Sequence, residues 1–89
     1  MELEQLRIFC AAAERESLSR AAAALYISHS TVSRAVSALE ASLGAELFSR
    51  DSRGVSLTPA GQLLFDGAQE LLRLAGELEG KVRNTGGKI

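Results

Sequence analysis

The sequence predicts a mainly α fold: three short helices, a two-stranded hairpin and one long terminal helix, together a winged helix-turn-helix extended by a linker helix. Three observations predict it. Over residues 28–43 the apolar residues Val32, Val36, Leu39 and Leu43 recur at spacings of four, three and four, which sets them on one stripe at about 100° per residue. Just upstream, LSRAAAAL at residues 18–25 is a second helical run, separated from the first by little more than Tyr26-Ile27; two helices joined by so short a turn form a helix-turn-helix. Just downstream, residues 47–50 and 55–58 read as short strands around the polar, glycine-ended turn at 51–54, which makes a wing.

Each element has a local cause. The first helix is expected over residues 2–15, where Leu3, Leu6, Phe9, Cys10 and Ala13 recur at helical spacing and Glu2 and Glu4 suit the positive end of the helix dipole. Glu16-Ser17 interrupts that pattern, and Ser17 is an N-cap for the alanine-rich second helix, which can pack closely. Ile27 is expected in the core, Ser28 caps the third helix, and Gly44 suits the left-handed position that ends it. Thr58 caps the last helix, with Pro59 in its first position, where a missing N–H costs nothing. Over residues 59–82, Leu64, Ala68, Leu71, Ala75, Leu78 and Val82 recur at four, three, four, three and four, a dimerisation seam of nearly three heptads. Leu63, Phe65 and Leu72 lie off that seam and are expected to pack back onto the winged body. Residues 84–89 lack periodicity and read as a flexible tail. The expected division is therefore 1–58 winged helix-turn-helix, 59–83 linker and dimerisation helix, and 84–89 tail.

With 89 residues the chain has room for one small domain, and its 46% hydrophobic content is mostly alanine and leucine, a thin core of the kind that gains from association. Aromatics at 4%, with no Trp, argue against a base-stacking sheet or an aromatic sugar site. The net charge of −1 and a pI of about 5.8 run against nucleic-acid binding. The distribution matters more. Residues 17–58 hold Arg20, Arg34, Arg50 and Arg53 against Glu40, Glu46 and Asp51, a balance of +1, while the acids gather in the first and last helices. Cys10 is the lone cysteine, so neither an intrachain disulfide nor a thiol metal cluster is available, and it reads as a small buried hydrophobe. One histidine, no glycine-rich phosphate loop and no ligand cluster leave nothing from which to assemble catalysis, a cofactor site or a metal site. No signal peptide or membrane-length apolar run is present, so a cytoplasmic location is expected.

The functional face lies opposite the apolar stripe of the third helix. Ser30, Arg34, Ser37 and Ala41 share it, flanked by His29, Thr31 and Ser33. These side chains are mostly short and many carry a hydroxyl, so the helix can approach another surface closely. The major groove of B-DNA, about 12 Å wide, admits such a helix. At the wing, Arg50 and Arg53 flank a narrow loop with Ser52 and Gly54, suited to the concentrated negative potential of a minor groove. Blander readings stand beside these. Arg34 is otherwise a solvent-exposed helix charge, with Glu40 or a wing acid as available partners, and Arg50 a partner of Asp51 or Glu46. His29 is either a DNA contact or a helix-start residue facing water. Ser17 and Ser19 offer hydroxyls or helix-terminal amides to phosphate, with Ser17 also explained as a cap.

Three stretches, LEQLRIFCAAAERESLSRAAAALYIS, STVSRAVSALEASLGAELFSR and RGVSLTPAG, together resemble the N-terminal DNA-binding domain of the bacterial LysR-type transcriptional regulators. The resemblance runs from Leu3 to about Val82. It rests on Ala21-Ala22, Ser33-Arg34, Leu39-Glu40, Leu43-Gly44, Leu47-Phe48, Arg50, Leu57-Thr58 and Gly61 at these spacings. It implies a DNA-binding homodimer paired through antiparallel linker helices. A helix over residues 59–82, roughly 36 Å long at 1.5 Å per residue, would then set two reading heads about one turn of double-stranded DNA apart or somewhat more, on an interrupted inverted repeat. The family usually has Gln followed by Pro or Ser where this chain has His29-Ser30, so a glutamine's base preference does not carry over. Family members continue into a second domain that binds a small effector; this sequence ends before it, and no effector site is expected in it. The competing expectation is a winged-helix protein-interaction module, or a truncated partner of full-length regulators.

Overall fold

Helix α1 (Leu3–Arg15) lies at the centre because it is apolar on more than one side: Leu6, Ile8, Phe9, Cys10, Ala11 and Ala12 are all buried. The computed structural model describes residues 1–86. Glu2 stands just outside α1 as its N-cap, its N–H donating to Gln5 Oε1 at 3.1 Å. Glu16 ends the helix in the left-handed conformation. Helix α2 (Leu18–Leu25) begins on Ser17, whose hydroxyl accepts the Arg20 N–H at 3.1 Å, and stops at a left-handed Tyr26. Helix α3 (His29–Leu43) begins on Ser28, whose hydroxyl accepts from the Thr31 N–H at 3.1 Å, and ends on Gly44 at φ 65°. Both serine caps and the glycine stop sit where the sequence put them, since each is a local hydrogen-bonding solution to a helix end.

Strands β1 (Phe48–Asp51) and β2 (Gly54–Leu57) form the antiparallel wing, with Phe48 opposite Leu57 and Asp51 opposite Gly54. Each strand falls one residue from its expected place. Leu47 keeps half of a ladder pair: its carbonyl accepts the Thr58 N–H at 3.0 Å in register, but its own N–H donates to the Glu40 carboxylate at 2.9 Å. Helix α4 (Pro59–Gly86) follows. Thr58 opens it, donating its hydroxyl to the Glu46 carbonyl at 2.6 Å while accepting from the Gly61 N–H at 3.0 Å. A Cβ on Gly61 would run into the Leu47 carbonyl oxygen, so only glycine lets α4 start this close to the wing.

The core joins α1 to every other element. Phe9 and Phe48 set their rings 5.2 Å apart at a 46° tilt, and Val32, Val36, Leu39 and Leu47 close around them. Four expectations change. Leu43 is 44% exposed, because at the last turn of α3 it lines an open groove with Ala45, Leu47 and Leu64 instead of entering the core. Leu63 is 77% exposed and does not pack back as Phe65 and Leu72 do. Ala68, expected in the dimer seam, is 0% exposed within its own chain, because this stretch of α4 lies against the core. Residues 84–86 continue α4, with the Thr85 hydroxyl donating to the Lys81 carbonyl at 3.0 Å; residues 87–89 of the expected tail lie outside the described residues.

Candidate nucleic-acid interface

Burying Val32, Val36 and Leu39 fixes which side of α3 faces outwards. His29, Ser30, Arg34 and Ser37 are exposed together, with Ala41 continuing the face, whereas Thr31 and Ser33 are half-buried. The helix start is tied by hydroxyls: Ser28 Oγ lies 2.8 Å from Thr31 Oγ1 and 3.1 Å from Ser30 Oγ. Thr31 is therefore engaged by the cap, and Ser30 shares a hydroxyl contact while keeping its exposure.

At the wing, Arg50, Ser52 and Arg53 are exposed and Gly54 is half-buried. The Asp51 carboxylate accepts the Arg53 N–H at 2.8 Å, bracing the two-residue tip. The ion pairs offered as partners for Arg34 and Arg50 do not form among the described residues, which leaves Arg34 a solvent-exposed helix charge. Glu40 is turned to the Leu47 N–H, and the ion pairs seen join Glu4 to Arg7, Glu14 to Arg15, and Arg73 to Glu70 and Glu77. All of those sit on α1 and α4. Arg20, Arg34, Arg50 and Arg53 are exposed on α2, α3 and the wing with no acid within ion-pairing distance among the described residues. The acidic overall balance is thus segregated away from the face made by α3 and the wing.

Two side chains gain interest from the structure. Arg20 is exposed on α2 and joins Arg34, Arg50 and Arg53 as a cation without an acid partner among the described residues; the sequence supplied it as a charge without saying which way it pointed. Tyr26, at φ 59°, is 95% exposed in the turn between α2 and α3. Its spacing marked a turn and nothing in its neighbours signalled that the ring would stand free.

The seam residues of α4 divide. Leu64 and Ala75 are half-buried and Ala68 is buried, while Leu71, Leu78 and Val82 are exposed by 44, 62 and 63%. Leu63 and Leu74 join them, and at 100° per residue these five side chains fall within an arc of about 100°. The open apolar stripe is therefore rotated from the expected seam, because the winged body takes the side that carries Ala68. Near its start the stripe borders a groove of about 310 Å³ lined by Leu43, Ala45, Leu47, Leu63, Leu64 and Leu71 among others. No helix among the described residues is long and apolar enough to cross a membrane.

Comparison with known proteins bears on the same surfaces. The family described as bacterial regulatory helix-turn-helix protein, lysR family, matches residues 3–62. The HTH-type transcriptional regulator TfdS of Cupriavidus pinatubonensis is 49% identical over 74 residues, covering 83% of this chain and 25% of that protein. ClcR of Pseudomonas putida, also an HTH-type transcriptional regulator, is 45% identical over 74 residues with the same coverage. The chain thus spans about a quarter of the length of these relatives. Among solved structures, the CbnR_DBD–DNA complex superposes with a TM-score of 0.90 at 38% identity, covering 97% of this chain and 99% of that one. The BenM_DBD/catB site 1 DNA complex gives 0.92 at 35% identity, covering 97% of each. With the family pattern spanning α1 to the start of α4 and the fold matched nearly end to end, this chain belongs to the lysR family of bacterial regulatory helix-turn-helix proteins.

Proposed function

We propose that the chain is the DNA-binding part of a transcriptional regulator that reads double-stranded DNA as a homodimer. In this reading residues 1–58 are the reading head, α3 enters the major groove with Ser30, Arg34 and Ser37 towards the bases, and Arg53 meets the flanking minor groove. His29, Ser33, Arg50, Ser52 and Gly54 border the contact, and Thr31 holds the helix start. The reading is one of binding without catalysis, cofactor or metal, in the cytoplasm where the DNA lies. Residues 59–83 pair two chains through Leu71, Leu78 and Val82 of the expected seam, with Leu63 and Leu74 beside them.

The single observation that carries this is charge segregation: four exposed arginines on α2, α3 and the wing without acid partners among the described residues, in a chain of net charge −1. The DNA complexes of CbnR_DBD and BenM_DBD support it by likeness. A 28-residue α4 is roughly 42 Å long at 1.5 Å per residue. Two such helices laid antiparallel would hold their heads about one DNA turn apart or somewhat more, against the 34–36 Å typical of half-sites, and the site would be an interrupted inverted repeat.

Selection of bound duplexes from a random DNA pool tests both parts together. The expected product is an inverted repeat with a fixed gap, bound with a steep negative dependence on salt. Arg34→Ala should weaken binding to it by about fivefold or more while leaving the helical signal intact. No enriched sequence and no salt dependence would favour the protein-interaction module instead.

A further inference from the structure

The turn between α1 and α2 meets the wing at one point. Glu16 closes α1 at φ 53°, and its carbonyl accepts the Val55 N–H at 3.2 Å. Gly54 passes so near that a Cβ there would run into the Glu16 carbonyl oxygen, a backbone atom that cannot rotate away. Its φ of 139° is also one that L side chains rarely adopt. Two separate requirements therefore fall on one glycine. On its other side the tip is braced by the Asp51 carboxylate on the Arg53 N–H, and beyond it Val55 is buried in the core. Arg53 thus stands between two fixed points.

We propose that Gly54 is a positioning residue: held against the Glu16 carbonyl, it fixes the distance between Arg53 at the wing tip and the helix-turn-helix, and thereby sets how strongly Arg53 engages DNA. This rests on the DNA-binding reading above. Glu16-Ser17 leads directly into α2, which carries Arg20 and precedes the recognition helix. One hydrogen bond and one close approach therefore place the minor-groove arginine and the major-groove helix on a common frame. A wing freed from that frame would have to be ordered at each binding event, which weakens binding without removing any contact group.

The test is a double-mutant cycle on the tightest duplex recovered from the random pool, with Arg53→Ala, Gly54→Ala and the double variant of the full chain. Circular dichroism and thermal melting fix a temperature at which all three are folded. Arg53→Ala is expected to weaken binding about fivefold or more and to flatten the salt slope. Gly54→Ala should do the same, and the double variant should bind no worse than either single one. A glycine inserted between Arg53 and Gly54 adds no Cβ against the Glu16 carbonyl, so it displaces Arg53 without the clash of Gly54→Ala, and it should reproduce the same loss. If Arg53→Ala weakens binding while Gly54→Ala and the insertion bind like the parent, the positioning role is overturned and the wing contact stands. Losses that add in full also overturn it, because Gly54 would then act on the fold and not through Arg53. Unchanged binding by Arg53→Ala would remove the wing contact itself, and the positioning role with it.

Discussion

The winged body and the outer half of α4 treat their aliphatic side chains in opposite ways. Leu6, Leu18, Leu39 and Leu47 are at most 6% exposed, whereas Leu71, Leu74, Leu78 and Val82 lie between 44 and 63%. In the body each helix end is capped, each strand is paired, and Phe9 joins α1 to the wing. Beyond Leu72, which packs on the body, the ion pairs seen on the outer helix among the described residues are those of Arg73 with Glu70 and Glu77, and exposed pairs of that kind contribute little. Hydrogen bonding from Glu70 raises the Arg73 pKa and lowers that of Glu70, so both stay charged, with no packing gained. Gly76 and Gly80 weaken this stretch further, by about 1 kcal/mol each relative to alanine. The lesson is that the body's shape follows from its own packing, while the outer helix leaves an apolar stripe that its own chain does not cover, the stripe on which the proposed pairing rests.

The comparison breaks most directly at the stripe. Leu71→Asp or Leu78→Asp places a carboxylate where a partner's leucines would pack and should give monomers in sedimentation. Affinity for the selected inverted repeat should fall by about 100-fold or more, the scale lost when two linked heads become one. Melting of the winged body should hardly move. A parent chain that sediments as a monomer at tens of micromolar would remove the contrast between the two regions. In the body the corresponding break is Phe9→Ala. Phe9 is 0% exposed and packs on Phe48, so truncation should cost about 3–5 kcal/mol in urea unfolding. That is comparable with the whole stability of many small domains. A loss below about 1 kcal/mol would mean that α1 does not organise the core.

What the sequence made legible is what local chemistry decides. The limits of α2, the serine caps at Ser17 and Ser28, and the stop at Gly44 depend on neighbours within a few residues, and the alternation of Val32, Val36 and Leu39 needs only a helix with one buried side. Leu43 continues that same stripe, yet whether anything lies beneath the last turn of α3 depends on where α4 passes. The expected seam of α4 is divided for a related reason, with Ala68 buried and Leu71, Leu78 and Val82 exposed. A heptad pattern finds the apolar side of a helix but not the part of it taken by the chain's own body, so Ala68 went inwards and Leu63 outwards. The exposed polar face proposed to meet DNA was readable as a side of α3. Its freedom from ion pairs was not, because it depends on Glu40 turning to the Leu47 N–H. Nor was the approach of Gly54 to Glu16, two residues that only the folded wing brings together.

A weaker probe of the body is its thiol. Burial, with the Glu14 charge adding to it, pushes the Cys10 pKa from the ordinary 9.0 up to about 11. The folded chain therefore keeps a proton that the unfolded chain releases, so stability should fall as pH rises from about 9 towards 11 and show no such slope below 9. Urea midpoints at pH 8 and pH 10, compared between the parent and Cys10→Ala, check this; the variant should lose part of the alkaline decline. An identical decline in both proteins would assign it to other groups.

The smallest effect separates the two sides of α4 itself. Neither Gly67 nor Gly76 has anything within 4 Å of where a Cβ would stand, so in a single chain alanine fits at both and should favour the helix by about 1 kcal/mol. Their directions differ. At 100° per residue Gly67 falls inside the arc of Leu63, Leu71 and Leu78, while Gly76 falls well outside it. In the Leu78→Asp background, where the chain is expected to be monomeric, both alanine variants should raise the helical signal alike. In the parent, Gly76→Ala should keep that gain and leave the dimer unchanged. Gly67→Ala should instead weaken association, because its methyl stands where the partner's helix would approach. Equal behaviour of the two glycines in the dimer would mean that the partner does not lie along this stripe.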